Sequence, residues 1–207
     1  MRRTLRFLTF SMLVFALGDG HNAYAQAPPA ATSPLISQVE VFAGYSSIRA
    51  NTVVSNTPLR LQGASFEAAF SVNNWLSLVG DFGYYRQSNI AARGFSLTLQ
   101  SYQFGPRLTW HNRTRLTPFG ELLLGGGNAG GTLYTRSLGT GMAPLGPNNG
   151  LLLTEGGGAD WRVRPWIAVR LIQADFIQSY FLNGTGNDDR QNNLRFSTGV
   201  VVRFGNN

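Results

Sequence analysis

From Gln38 onward the chain repeats one device, short apolar–polar alternations separated by joints that are brief and long in turn. Alternation with a period of two marks a strand with one face in an apolar medium. In 64–72, Phe66, Ala68, Phe70 and Val72 oppose Ser65, Glu67, Ala69 and Ser71. After Asn73-Asn74-Trp75 the pattern resumes, with Leu76, Leu78, Gly80, Phe82 and Tyr84 against Ser77, Val79, Asp81 and Gly83. Near the end, Phe196, Thr198, Val200, Val202 and Phe204 oppose Arg195, Ser197, Gly199, Val201 and Arg203. Eight strands fit, near 38–48, 63–73, 75–86, 96–110, 117–127, 151–163, 166–181 and 194–204. The joints at 73–75, 111–116 and 164–165 are short, whereas 49–62, 87–95, 128–150 and 182–193 are long. No apolar helical period runs for three turns.

Alternation alone does not say which face meets water, and composition decides it. Of 207 residues only 13% are charged, against roughly 25% in an average soluble domain. The polar faces are mostly Gly, Ser, Ala and Thr, which suits the narrow lumen of an eight-stranded barrel. Aromatics gather near the short turns, at Trp75, Trp110, Phe119, Trp161 and Trp166, where a membrane barrel carries its interfacial girdle. The expected fold is therefore all-β, an eight-stranded antiparallel up-and-down transmembrane β-barrel. Parity breaks twice: Leu97 and Leu99 are out of phase with Tyr102, and Val169 and Leu171 with Phe176. A β-bulge near 100 and another near 173 would reconcile them. Glu155 falls on the apolar face, with only nearness to the external rim to explain it.

The N-terminal 25 residues carry Arg2, Arg3 and Arg6, then the 11 apolar-rich residues 7–17, then Ala23-Tyr24-Ala25. This order predicts a secretory signal peptide over 1–25, cut after Ala25 or Ala27. Its apolar stretch is too short to span a bilayer, which takes about 20 residues. Residues 26–37 read as a short Pro-rich leader and 38–207 as the barrel, destined for the outer membrane of a Gram-negative cell. No cysteine is present, so disulfides and thiolate metal sites are excluded. All 17 basic residues are arginine, scattered singly, which argues against a nucleic-acid footprint.

The inward charges line up across the short turns. Hairpins centred on Asn74, Thr114 and Pro165 put Glu67 opposite Asp81, Arg107 opposite Glu121, and Asp160 opposite Arg170. Unlike charges directly opposed stabilise a strand pair modestly, while Glu67 and Asp81 repel. Because an unpartnered buried charge costs several kcal/mol, Arg107 or Arg170 is expected to reach across to the acidic pair. Glu40 and Arg203 should meet where the first and last strands close the barrel. Such a layer reads as a lumen plug, with a gated ion path as the competing reading.

Hydrolytic chemistry lacks its parts. His21 leaves with the signal and His111 sits in a turn, so Ser71 and Ser101 have no base within reach. Gly125-Gly126-Gly127 and Gly156-Gly157-Gly158 have no following lysine and sit inside strands, unlike phosphate loops. The triplets Asn112-Arg-Thr and Asn183-Gly-Thr match a glycosylation acceptor by chance frequency, and Asp188-Asp189 reads as a solvated loop tip rather than a calcium site. No catalytic, cofactor-binding or metal-binding residue is expected.

Several segments resemble the small bacterial outer-membrane barrels that include the OmpA membrane domain and OmpX. They are Val39-Glu-Val-Phe-Ala-Gly-Tyr-Ser, Gly105-Pro-Arg-Leu-Thr-Trp with Thr117-Pro-Phe-Gly-Glu, and Gly156-Gly-Gly-Ala-Asp-Trp followed by Ala168-Val-Arg-Leu. The resemblance covers Gln38 to Phe204. It implies a non-enzymatic envelope protein whose loops serve adhesion or interaction, with a narrow gated pore or a lipid-modifying enzyme as alternatives. Implied partners are outer-membrane lipid and lipopolysaccharide, an extracellular partner at the loops, and the barrel-assembly machinery, which reads a terminal aromatic. Here Phe204 is followed by Gly205-Asn206-Asn207, a departure from that ending.

Overall fold

The computed structural model describes residues 38–50, 59–90, 95–111, 113–130, 148–181 and 190–205. These form β1 (Val39–Ala50), β2 (Leu59–Ser71), β3 (Leu76–Ile90), β4 (Phe95–Thr109), β5 (Leu116–Gly130), β6 (Asn148–Arg164), β7 (Ile167–Tyr180) and β8 (Arg190–Phe204). Each strand pairs antiparallel with its sequence neighbour, and β1 pairs with β8 to close the barrel. Closure leaves the wall without a free edge, which a sheet standing in hydrocarbon requires. The β2–β3 turn is fixed by Asn73, whose Oδ1 accepts from the N–H groups of Trp75 at 2.9 Å and Leu76 at 2.8 Å.

The outer surface is apolar. Phe66, Phe70, Leu78, Phe82, Leu124 and Leu151 point outward, and Phe104 is 65% exposed while Val79, on the inner face, is 0% exposed. A continuous belt of this kind is a lipid-facing surface. Trp75, Trp110, Trp161 and Trp166 ring its short-turn end together with Phe204, and Tyr45, Tyr84, Tyr102 and Tyr180 stand outward nearer the long joints. On β3 and β4 these rings lie nine and eight residues apart. At the usual rise and tilt that is about 20–23 Å of height, close to the apolar band of a membrane barrel.

Three expectations need correction. The strands run to 12–17 residues, and the excess over the sequence reading lies mainly at the long joints. There β6 and β8 begin with Asn148-Asn149 and Arg190-Gln191-Asn192, which stand beyond the hydrocarbon, so their apolar alternation disappears while their ladders continue. The bulge near 100 does not exist. The β3–β4 register is unbroken from Leu76↔Leu108 to Gln87↔Leu97, and β4–β5 keeps one offset throughout. Leu97 and Leu99 instead point inward, because the lumen itself becomes apolar at that height. Phe119 is not a girdle residue but is buried in the lumen at 5% exposure, as its parity with Glu121 requires.

The bulge near 173 is present. Arg170 faces Gly199, but Gln173 faces Ser197, so β7 carries one extra residue, and Leu171 and Ile172 are consecutively exposed. Glu155 points outward between Leu122 and Phe176, with Leu151 and Leu153 lying between it and the polar strand end. The predicted signal and leader, Asn112, Asn183 and Asp188-Asp189 lie outside the described residues.

Candidate functional site

The lumen holds a layer of buried charge at middle depth. The three hairpin pairings expected across the short turns are present: Glu67↔Asp81, Arg107↔Glu121 and Asp160↔Arg170. Arg107 donates from Nε to Glu121 at 2.8 Å and from Nη2 to Glu67. Arg170 donates to Asp160 at 2.9 Å, to Glu67 at 2.6 Å and to Gln173 Oε1 at 2.6 Å. Both arginines thus serve Glu67. Asp81 is reached instead by Arg195, which donates to it at 2.9 Å and to Asp175 at 2.7 Å. Gln173 donates to Glu121 at 2.8 Å and to Asp175 at 3.1 Å, tying the two halves together. Glu67 and Asp81 relieve their mutual repulsion by taking different guanidinium partners.

The layer is sealed on both sides. On the short-turn side, the guanidinium of Arg170 lies 4.2 Å from the centre of the Phe42 ring and 4.5 Å from that of Phe119, and Arg107 lies 4.4 Å from Phe119. Glycines make room for these flat rings. A Cβ on Gly199 would meet Phe42 Cε2 at 2.8 Å, and one on Gly158 would meet Phe119 Cζ at 2.8 Å. Toward the long joints, Ser46 bridges Ser65 at 2.5 Å and Ser197 at 2.7 Å. Above the serines Ile48, Leu61, Leu97, Leu152, Ile177 and Phe181 pack with Tyr85 into an apolar plug. A cavity beside them, lined by Leu99, Ser101, Ser179 and Asn193 among others, has about 10 Å³, room for no more than one water. At the rim, Arg203 Nε donates to Glu40 at 2.7 Å across the β1–β8 seam.

Neither a family model nor a curated protein matches the sequence. Solved structures do match in shape. Ail, the attachment invasion locus protein of Yersinia pestis, aligns with a TM-score of 0.55 at 18% identity, over 81% of this chain and 99% of Ail. OprG from Pseudomonas aeruginosa aligns at 0.55 and 6% identity, over 82% and 97%. Neisserial surface protein A aligns at 0.52 and 16% identity, over 81% and 96%. The fold is that of the small outer-membrane barrels.

Within the barrel the described lumen charges are three guanidiniums and five carboxylates, and reading the sequence reached two of the former and four of the latter. Arg195, Asp175 and Gln173 were missed. Asp175 faces Arg195 across β7–β8, but that hairpin has a long loop, so no tight turn sets its register in advance. The bulge at 171–172 also inverts the parity of Gln173 and Asp175. Chemically the site is a buried ionic lattice in which Glu67 Oε1 and Arg195 Nη2 remain without a hydrogen-bond partner. His111 is exposed in the β4–β5 turn, while Ser71 lies 3.4 Å from Ser77 and Ser101 Oγ is buried without a partner.

Proposed function

We propose that this is a non-enzymatic integral protein of the Gram-negative outer membrane, exported by a cleaved signal and folded by the barrel-assembly machinery. Its barrel is a rigid anchor holding four long loops at the cell surface for adhesion or interaction with an extracellular partner. The filled lumen is the observation that carries this reading. Stacked rings, a cross-linked charge layer and an apolar plug occupy the axis in succession, which suits a support rather than a conduit. Among the described residues, the one histidine, His111, is exposed in the β4–β5 turn, away from the lumen serines Ser71 and Ser101, which weighs against a lipid-modifying enzyme.

Conductance in planar bilayers tests the reading. The native protein is expected to be silent while giving heat-modifiable migration in gels and fractionating with the outer membrane. Discrete steps from the native protein, enlarged in Arg107→Ala, would establish a gated pore instead.

A further inference from the structure

We propose that the outer wall of β1, β2 and β3 binds the phosphorylated headgroup of an outer-leaflet glycolipid through Arg49, Arg60 and Arg86. The inference rests on the outer-membrane reading above and gives the lipopolysaccharide expected around such a barrel a site made of named residues. Arg49 stands directly opposite Arg60, and Arg86 stands opposite Gln62. Arg60 and Arg86 are therefore diagonal neighbours, about 7–8 Å apart by strand geometry. All three are exposed, with outward parity. Directly opposed like charges destabilise a strand pair, so this register calls for a counter-charge.

The protein supplies little of it. Among the described residues none of the three arginines forms an ion pair with an acid. The described acids stand in the lumen, at the short-turn rim, or in the case of Glu155 on the wall at β6. In sequence, the long joints and the strand ends that flank them carry Arg49, Arg60, Arg86, Arg93, Arg136 and Arg190 against Asp188 and Asp189.

Height identifies the ligand. Arg86 lies two residues beyond Tyr84 and Arg49 four beyond Tyr45, about 7 and 13 Å along the strand. They therefore stand just outside the hydrocarbon edge marked by the tyrosines, at the level of lipid headgroups. Side chains on this wall face the lipid shell rather than the open solvent above the loops. Guanidinium forks match phosphate oxygens bidentately, and neighbouring forks suit a headgroup with more than one phosphate. The arginines at the opposite rim differ. Arg203 is held by Glu40, Arg162 donates to the Thr114 carbonyl at 3.2 Å, and Arg113, Arg115 and Arg164 lie on or beside solvated tight turns.

The test uses the full barrel refolded in phosphatidylcholine nanodiscs, with or without bisphosphorylated lipid A, comparing native protein, R49Q/R60Q, R86Q and the turn control R113Q/R115Q. Native and control are expected to retain lipid A through purification and to unfold at higher temperature with it. R49Q/R60Q should lose about tenfold in affinity and R86Q less. In phosphatidylcholine alone R49Q/R60Q should be at least as stable as native, because a repulsive pair has been removed. An equal response to lipid A in native and R49Q/R60Q, or equal stabilisation by a dephosphorylated lipid, would overturn the site. Equal stabilisation by inorganic phosphate would make it a soluble-anion site and overturn the glycolipid. Failure of R49Q/R60Q to fold in phosphatidylcholine would also count against it. A native chain that enters no bilayer would overturn the outer-membrane reading itself.

Discussion

Arg170 donates to Glu67, Asp160 and Gln173 and lies against the rings of Phe42 and Phe119, with its side chain fully removed from solvent. Replacing it with Met keeps much of the volume but strips partners from two buried carboxylates. Breaking a buried pair from one side costs about 3–5 kcal/mol, and urea unfolding in lipid vesicles followed by tryptophan fluorescence should show a loss of that size for Arg170→Met. Arg170→Lys should recover little, since a single ammonium does not reproduce the fork. Glu40→Gln, at a rim that water reaches more readily, should cost less. At this scale legibility followed turn length. Glu67, Asp81, Arg107, Glu121, Asp160 and Arg170 flank short turns that fix who faces whom, whereas Arg195 and Asp175 flank a long loop that fixes nothing.

Among the strands, β4 and β7 show one sequence symptom with two physical causes. In both, the apolar parity changes midway. In β7 an extra residue turns the ladder, so that Leu171 and Ile172 both meet lipid while Gln173 and Asp175 stay inside. In β4 the ladder is regular and the lumen changes character, so Leu97 and Leu99 join the plug. Alternation reports which side chains are apolar, not which medium surrounds them, and an inner face that is apolar at one height and ionic at another defeats it. Deleting Ile172 tests the distinction. It should remove only the extra residue, leaving Gln173 and Asp175 inside opposite Ser197 and Arg195 and keeping the heat-modifiable folded band. Deleting Leu99 from the unbulged β4 should instead turn one half of that strand inside out and abolish the band. Leu97→Ala should only lower stability, by about 2–5 kcal/mol.

The whole barrel has a definite height in the membrane, set by tryptophans at one end and tyrosines at the other. Lipids brominated high on the acyl chain should therefore quench the fluorescence of the four tryptophans more strongly than lipids brominated near the chain end. Equal quenching would mean that the girdle does not sit at an interface. Fold, strand number and the lipid-facing side were all readable from alternation and low charge. The plug was not, because Ile48, Leu61, Leu152 and Ile177 look like any other strand residues until closure brings them together.

Arg195 and Arg203 both lie on β8, and this bears on how the molecule comes together. Without β8 the interior would set five carboxylates against Arg107 and Arg170, and Glu40 on β1 would lack its cation. The final strand delivers both missing charges, one to Asp81 and Asp175 at mid-height and one to the seam. A pairing of β8 slipped by two residues would leave both acidic sites unmet, so the two arginines hold that strand to a single alignment.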